Sequence, residues 1–200
     1  EDMTHVAYAL GAEQLGVVGL GGGGPYALAC AASPELRERV AAVTVLGGVT
    51  PTVGPEATGA GPVDLLRRLN FAFSTLRQPV ASAINAAVTP VVPLGHLIYQ
   101  GFAALATAAD RRLLADPEIE AMLIDDIVLT TPGGFQALVD DARLFGRDWG
   151  FRLSDVKSPV LWWHGDADPF VTVADVERTV AQLGDAELIV LPGSSQLGGF

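Results

Sequence analysis

Leu15-Gly16-Val17-Val18-Gly19-Leu20-Gly21-Gly22-Gly23-Gly24-Pro25-Tyr26-Ala27-Leu28-Ala29-Cys30-Ala31-Ala32 reads as a strand, a tight turn and a helix in one unbroken stretch. Residues 15–20 are a short apolar run, the pattern of a strand buried on both faces. The glycine run at 21–24 permits backbone angles that side chains forbid, so the chain can reverse sharply there. Pro25 suits the first helical position, where its fixed φ matches the helix and its missing N–H would have no partner.

Upstream of this stretch, residues 2–13 predict a helix with Val6, Ala7, Leu10 and Ala12 on an apolar side and Gly11 near its end. Downstream, Val40-Ala41-Ala42-Val43-Thr44-Val45-Leu46 predicts a second strand, ended by the turn residues Gly47-Gly48-Val49-Thr50-Pro51. Two such strands around one helix form a right-handed βαβ unit. The rhythm resumes after Ser158-Pro159 with a strand at Val160-Leu161-Trp162-Trp163-His164, a helix over 173–183 and a strand at 187–191. The fold class is therefore α/β, with a parallel sheet of about four strands. Residues 52–155 carry no strand signal, only helical patterns at 63–76, 81–87, 97–114, 117–129 and 134–145. The expected organisation is a core from residues 1–51 and 156–200 with an inserted helical cap from 52–155. No internal repeat or low-complexity linker interrupts it.

Charge narrows the function classes. The net charge is −11, and the only paired basic residues, Arg67-Arg68 and Arg111-Arg112, are too few to neutralise a run of phosphates, so nucleic acid is not an expected partner. The acidic pairs Asp125-Asp126 and Asp140-Asp141 read as solvated helix faces rather than an interaction surface. Cys30 is the only cysteine, which rules out an internal disulfide and a cysteine-based zinc site and fits a reducing compartment. Residues 1–5 are acidic and lack a signal-peptide pattern, so a cytoplasmic location is expected. Residues 78–109 run without a formal charge and exceed the about 20 residues that span a bilayer. Pro79, Pro90 and Pro93 interrupt that run, and apolar helices over a pocket explain its composition, so a membrane span is not expected.

Ligands of open α/β sheets bind at the carboxyl ends of the strands, and three loops here end there. The first, residues 18–25, resembles the nucleophile elbow of the α/β-hydrolases, G-x-S-x-G, in which small residues surround a nucleophile held in strained geometry. Gly19, Gly23, Gly24 and the following Pro25-Tyr26-Ala27-Leu28-Ala29 carry the resemblance. The nucleophile slot is Gly21, and no serine, cysteine or aspartate can be slid into it without breaking the glycine spacing. The second loop, His164-Gly165-Asp166-Ala167-Asp168-Pro169-Phe170-Val171, is similar to the one that carries the triad acid. Asp168 matches that acid; Asp166 is the alternative, with turn-holding hydrogen bonds as its other role. His164 is tempting as a base but reads as a packing residue. The third loop, residues 191–200, looks like the one that delivers the triad histidine, and the matching position is Gln196. An amide cannot take up a proton near neutral pH, so Gln196 cannot serve as the general base.

The resemblance covers nearly the whole chain and leaves out the family's first four strands and last helix. It implies one oxyanion donor, the backbone N–H of Gly22, while the other belongs to a loop before this chain. The reading is thus a truncated or catalytically inactive relative of serine ester hydrolases, with no cofactor and no ordinary serine-hydrolase activity. Epoxide hydrolysis would need an aspartate where Gly21 stands. The elbow strand, internal in the family's sheet, is expected to be an apolar edge that makes the isolated chain self-associate or marginally stable.

Other readings remain open at this level. One is a hydrolase of small esters using unconventional residues. Another is a binding protein for a small apolar or ester ligand, with Phe71, Phe73, Leu94, Leu97, Ile98, Tyr99 and Phe102 lining a pocket or simply packing a core. A third is a dinucleotide-binding domain, since Gly19, Gly21 and Gly24 satisfy G-x-G-x-x-G; against it, the strand ending at Leu46 is not followed by the acidic residue that would hold the ribose. A metal site at Asp166-Ala167-Asp168 lacks further ligands near in sequence.

Overall fold

The computed structural model describes residues 2–58, 79, 83, 86, 95–130, 136–195 and 197. Helix α1 (Asp2–Ala9) leads to strand β1 (Leu15–Leu20), helix α2 (Gly23–Ala32) and strand β2 (Val40–Leu46). Helices α3 (Gly95–Leu105), α4 (Ala108–Leu114), α5 (Pro117–Thr130) and α6 (Gln136–Phe145) follow, then a 3₁₀ turn at Leu153–Asp155. Strand β3 (Val160–Gly165), helix α7 (Val173–Val180) and strand β4 (Ala186–Leu191) complete the described elements. The four strands form one sheet in the order β1-β2-β3-β4, and every neighbouring pair is parallel.

Local chemistry sets the boundaries. The first helix is shorter than its apolar pattern predicts because Gly11, at φ +61°, closes it early. Ala12 N donates to Ala7 O and Gly11 N to Tyr8 O, a Schellman closure that leaves residues 10–13 outside the helix. Helix α2 begins at Gly23, so Pro25 is its third residue and not its first. That position is still within the first turn, where no N–H has an intrahelical acceptor, so the ring costs no hydrogen bond. The pattern over 97–114 divides into α3 and α4, because Thr107 Oγ1 accepts from Asp110 N and starts a new helix. The helical readings at 63–76 and 81–87 lie outside the described residues, apart from Ala83 and Ala86, which are helical. Among the described residues between β2 and β3 there is no strand.

The core lies between the sheet and its helices. Leu28 of α2, Val43 and Val45 of β2, Trp162 of β3, Val176 of α7 and Leu153 are all within 1% of complete burial. Each large apolar side chain so placed contributes roughly 1.5–3 kcal/mol. Alanines 27, 31 and 32 are also buried, and their small size lets α2 lie close to the sheet. Strand β1 is the outer strand next to β2, and its residues Val18 and Leu20 stay 67% and 41% exposed. Val6, Tyr8 and Leu10 at α1 are exposed as well. No helix among the described residues is long and apolar enough to cross a membrane.

Candidate functional site

Parallel register brings the carboxyl tips of all four strands to one rim. Gly21 N donates to Leu46 O at 2.8 Å, Gly47 N to Trp163 O at 2.9 Å, and Asp166 N to Leu191 O at 3.2 Å. Each loop is thereby tied by its first residues to the tip of the neighbouring strand.

At the tip of β1, Gly21 has φ +53°, the left-handed conformation that side chains adopt only under strain. Its neighbours fix that turn. A Cβ on Gly19 would lie 2.4 Å from Gly23 O, and one on Gly24 would lie 3.0 Å from Val45 Cγ1 and 3.2 Å from Gly48 Cα. Strand and helix therefore approach as only glycine at position 19 allows. A Cβ on Gly21 would instead meet nothing within 4 Å among the described residues. Gly22 lies under the ring of Phe145, whose Cζ would be 3.0 Å from a Cβ there. Phe145 also meets Tyr26 edge-on at 6.1 Å between ring centres. Tyr26 donates its hydroxyl to Asp141 Oδ1 at 2.5 Å, and partial burial together with that carboxylate pushes its phenol up to about 12. The end of α6 is thus fastened over the elbow and the start of α2.

At the tip of β3, Asp168, the residue matched to the acid position, is held within its own loop. Asp168 Oδ1 accepts from Phe170 N at 2.7 Å and from Val171 N at 3.1 Å, with the side chain 1% exposed. Its other oxygen, Oδ2, is buried without a hydrogen-bond partner among the described residues and lies 3.8 Å from His164 Nε2, too far for a bond. His164 Nε2 is 2.9 Å from Val171 O. A carbonyl only accepts, so Nε2 is the donor, while the buried Nδ1 has no hydrogen-bond partner among the described residues. That side chain is wholly buried under the loop, as packing requires and as substrate contact would not allow. Asp166 acts differently, as its Oδ1 accepts from Gly193 N at 2.6 Å and binds the acid loop to the loop after β4. Ala167 N donates to Ser194 O at 2.9 Å in the same seam, and a Cβ on Gly165 would fall 2.0 Å from Ser194 O.

Gln196, the residue matched to the histidine slot, lies outside the described residues. The residue before it reveals a group that sequence reasoning missed. Asp110 of α4 is 2% exposed; its Oδ2 accepts from Thr107 Oγ1 at 2.7 Å and its Oδ1 from Ser195 N at 3.3 Å. Thr107-x-x-Asp110 is a legible helix start, yet Thr172-x-x-Asp175 at α7 has the same form, so the pattern alone could not reveal contact with the rim.

Of the residues considered for an apolar pocket, Tyr99 is buried with its hydroxyl donated to Leu114 O, a bond between α3 and α4. Phe71, Phe73 and Leu94 lie outside the described residues, as do the side chains of Leu97, Ile98 and Phe102. A cavity of about 110 Å³ opens beside the elbow helix, lined among others by Pro25, Tyr26, Ala29, Leu144, Phe145 and Trp149. Neither Gly21 nor Asp168 lines it. Among the described residues no three metal-binding side chains cluster.

No family model matches the chain, and no curated protein does. Solved structures do. An esterase from Exiguobacterium antarcticum is 16% identical with a TM-score of 0.63, over 98% of this chain and 65% of its own. An esterase from a Rhodococcus species is 18% identical with a TM-score of 0.61, over 96% of this chain and 62% of its own. An N-acyl homoserine lactone degrading enzyme is 22% identical with a TM-score of 0.59, over 98% and 65%. The chain therefore spans less than two thirds of the length of these structures, and shares their fold over that span.

Proposed function

We propose that this chain, which has the α/β-hydrolase fold, is a catalytically silent relative of ester hydrolases and cleaves no ester by the serine mechanism. Gly21 carries the proposal: its backbone stands at φ +53°, as a nucleophile elbow requires, no described residue comes within 4 Å of where its Cβ would lie, and it has no nucleophilic atom. Acyl transfer in this fold needs an oxygen or sulfur at that tip, a base to take its proton, and an acid to orient the base. Asp168 supplies the third, but an amide at Gln196 cannot supply the second. Loss of one triad member typically lowers turnover by on the order of 10⁴ to 10⁶. The test is hydrolysis of a short-chain nitrophenyl ester by the purified chain, once circular dichroism shows it folded. No turnover above buffer is expected; turnover above both buffer and an Asp168→Ala control would overturn the proposal.

A second reading, retention of a small apolar ligand without chemistry, is favoured by the cavity walled by Pro25, Tyr26, Phe145 and Trp149 beside the elbow helix. Saturable binding of a fluorescent fatty-acid or ester probe, weakened by substitution of Phe145, would support it; absence of saturation would remove it. The exposed Val18 and Leu20 on the outer strand support a third element, pairing of β1 with another chain.

A further inference from the structure

The cavity beside the elbow helix has aromatic walls and a cationic rim. Ala29 lies on the same face of α2 as Pro25 and Tyr26, four and three residues before it, and its small side chain leaves the floor open. Two aromatic pairs form the walls: Tyr26 with Phe145, edge-on at 6.1 Å between centres, and Trp149 with Phe151, tilted by 31° at 5.9 Å. Tyr26 is pinned at its hydroxyl by Asp141 Oδ1 at 2.5 Å, so this wall is set before any ligand arrives. Among the described residues that line the cavity, Arg147 is the one that carries a charge. Its positive charge is felt at the Tyr26 phenol, where it opposes the rise caused by burial and Asp141. The acids nearby are turned elsewhere. Asp141 accepts from Tyr26, and Asp148 accepts from Gly150 N at 2.9 Å and faces Arg152 at 3.8 Å. A planar guanidinium with five N–H donors matches a carboxylate. Size narrows the ligand further. An apolar cavity of about 150 Å³ holds benzene, so one of about 110 Å³ with an open side takes a single six-membered ring and its substituent, not a long acyl chain.

We propose that this cavity binds a small aromatic carboxylate, its ring between the two aromatic pairs and its carboxylate on Arg147. The inference rests on the reading of the cavity as a ligand site and adds the class of ligand. Edge-to-face contact with the four rings favours an aromatic ring over a saturated one of the same shape. The guanidinium favours an anionic head over a neutral one, and being exposed it does so by a modest, salt-sensitive margin.

The test needs no catalysis. Into the chain, shown folded by circular dichroism, 4-fluorobenzoate and its neutral counterpart 4-fluorobenzamide are titrated separately and followed by ¹⁹F NMR. The acid should saturate, about fivefold tighter than the amide at low salt, and the gap should close as salt is added. Arg147→Gln should weaken the acid by that same factor and leave the amide unchanged. Ala29→Leu, which fills the floor, should weaken both, and Ala29→Val reads the same point if the leucine variant does not fold. Cyclohexanecarboxylate should displace the acid about threefold less well than benzoate does. An amide that binds as tightly as the acid, or an acid indifferent to Arg147→Gln, would overturn the assignment of the head group and leave the cavity a ligand site. Equal displacement by cyclohexanecarboxylate would overturn the aromatic class in the same way. Binding that neither Ala29 variant changes would put the ligand elsewhere and overturn the proposal. Saturation by neither fluorinated ligand, nor by a fatty-acid or ester probe, would remove the ligand site itself, and this inference with it.

Discussion

The tips of β1 and β3 lie on the same rim, yet their shapes are set in opposite ways. At β1 the turn holds without any side chain at its tip: Gly21 has φ +53°, and no described residue comes within 4 Å of where its Cβ would lie. At β3 the side chain persists with its supports, because Asp168 accepts two backbone N–H groups of its own loop. The difference lies in what determines each shape. The elbow is fixed by its neighbours, Gly19 against Gly23 and Gly24 against Gly48, and does not depend on the residue at 21. The acid loop is fixed by Asp168 itself. Folding alone explains the presence of Asp168, so it is no argument for catalysis, and the proposal of catalytic silence rests on Gly21.

Substitutions at the two tips put this contrast at risk. The largest effect should come where neighbours fix the rim: Gly19→Ala sets a Cβ 2.4 Å from Gly23 O and Gly165→Ala sets one 2.0 Å from Ser194 O. Each should cost about 3 kcal/mol or more in urea unfolding, and a loss under about 1 kcal/mol would show that the rim yields. Asp168→Ala comes next, at about 1–3 kcal/mol for the two backbone hydrogen bonds to a carboxylate that are lost. Asp168→Asn should recover most of that stability, since an amide oxygen can accept both bonds; no recovery would mean that the negative charge, not the acceptor, holds the loop. Gly21→Ser should cost only about 1 kcal/mol, from placing a side chain at positive φ in open space. A cost as large as that of Gly19→Ala would erase the distinction between the slot and its frame. The smallest effect on stability, within about 0.5 kcal/mol, is expected for Val18→Lys on the exposed edge of β1. That variant should nonetheless lower the sedimentation-derived mass at high concentration; an unchanged mass would remove β1 as the pairing edge.

Much of this was legible in the residues. Strands β1 and β2 have the limits that their apolar runs and flanking glycines predict, but β1 is not buried on both faces as its composition suggests: Val18 and Leu20 stay exposed. The roles of Asp166 and Asp168 were harder to read: the bonds that hold the turn belong to Asp168, which accepts from Phe170 N and Val171 N, while Asp166 accepts from Gly193 N in another loop. Helix limits were less legible. Apolar periodicity runs across Ala106-Thr107, and only the Thr107 cap marks the break between α3 and α4. The close of α1 at Gly11 was hidden in the same way by Leu10 and Ala12, which continue the pattern in sequence but not in space. Asp110 was illegible in principle: its partner, Ser195, is brought to it by the tertiary fold, and a helix-cap aspartate looks the same whether or not such a partner exists.

Catalytic silence at the elbow is best tested by covalent labelling with an alkyl fluorophosphonate, read by mass spectrometry, on the chain as it stands and on the Gly21→Ser, Gln196→His variant. Attack at phosphorus with loss of fluoride needs the nucleophile and base together and reports the residue modified. The expected result is an unlabelled native chain and a variant labelled at position 21, the label falling when Asp168→Ala is added. A native chain labelled at any residue, or a folded variant that takes no label, would contradict the reading of Gly21 as a vacant nucleophile position.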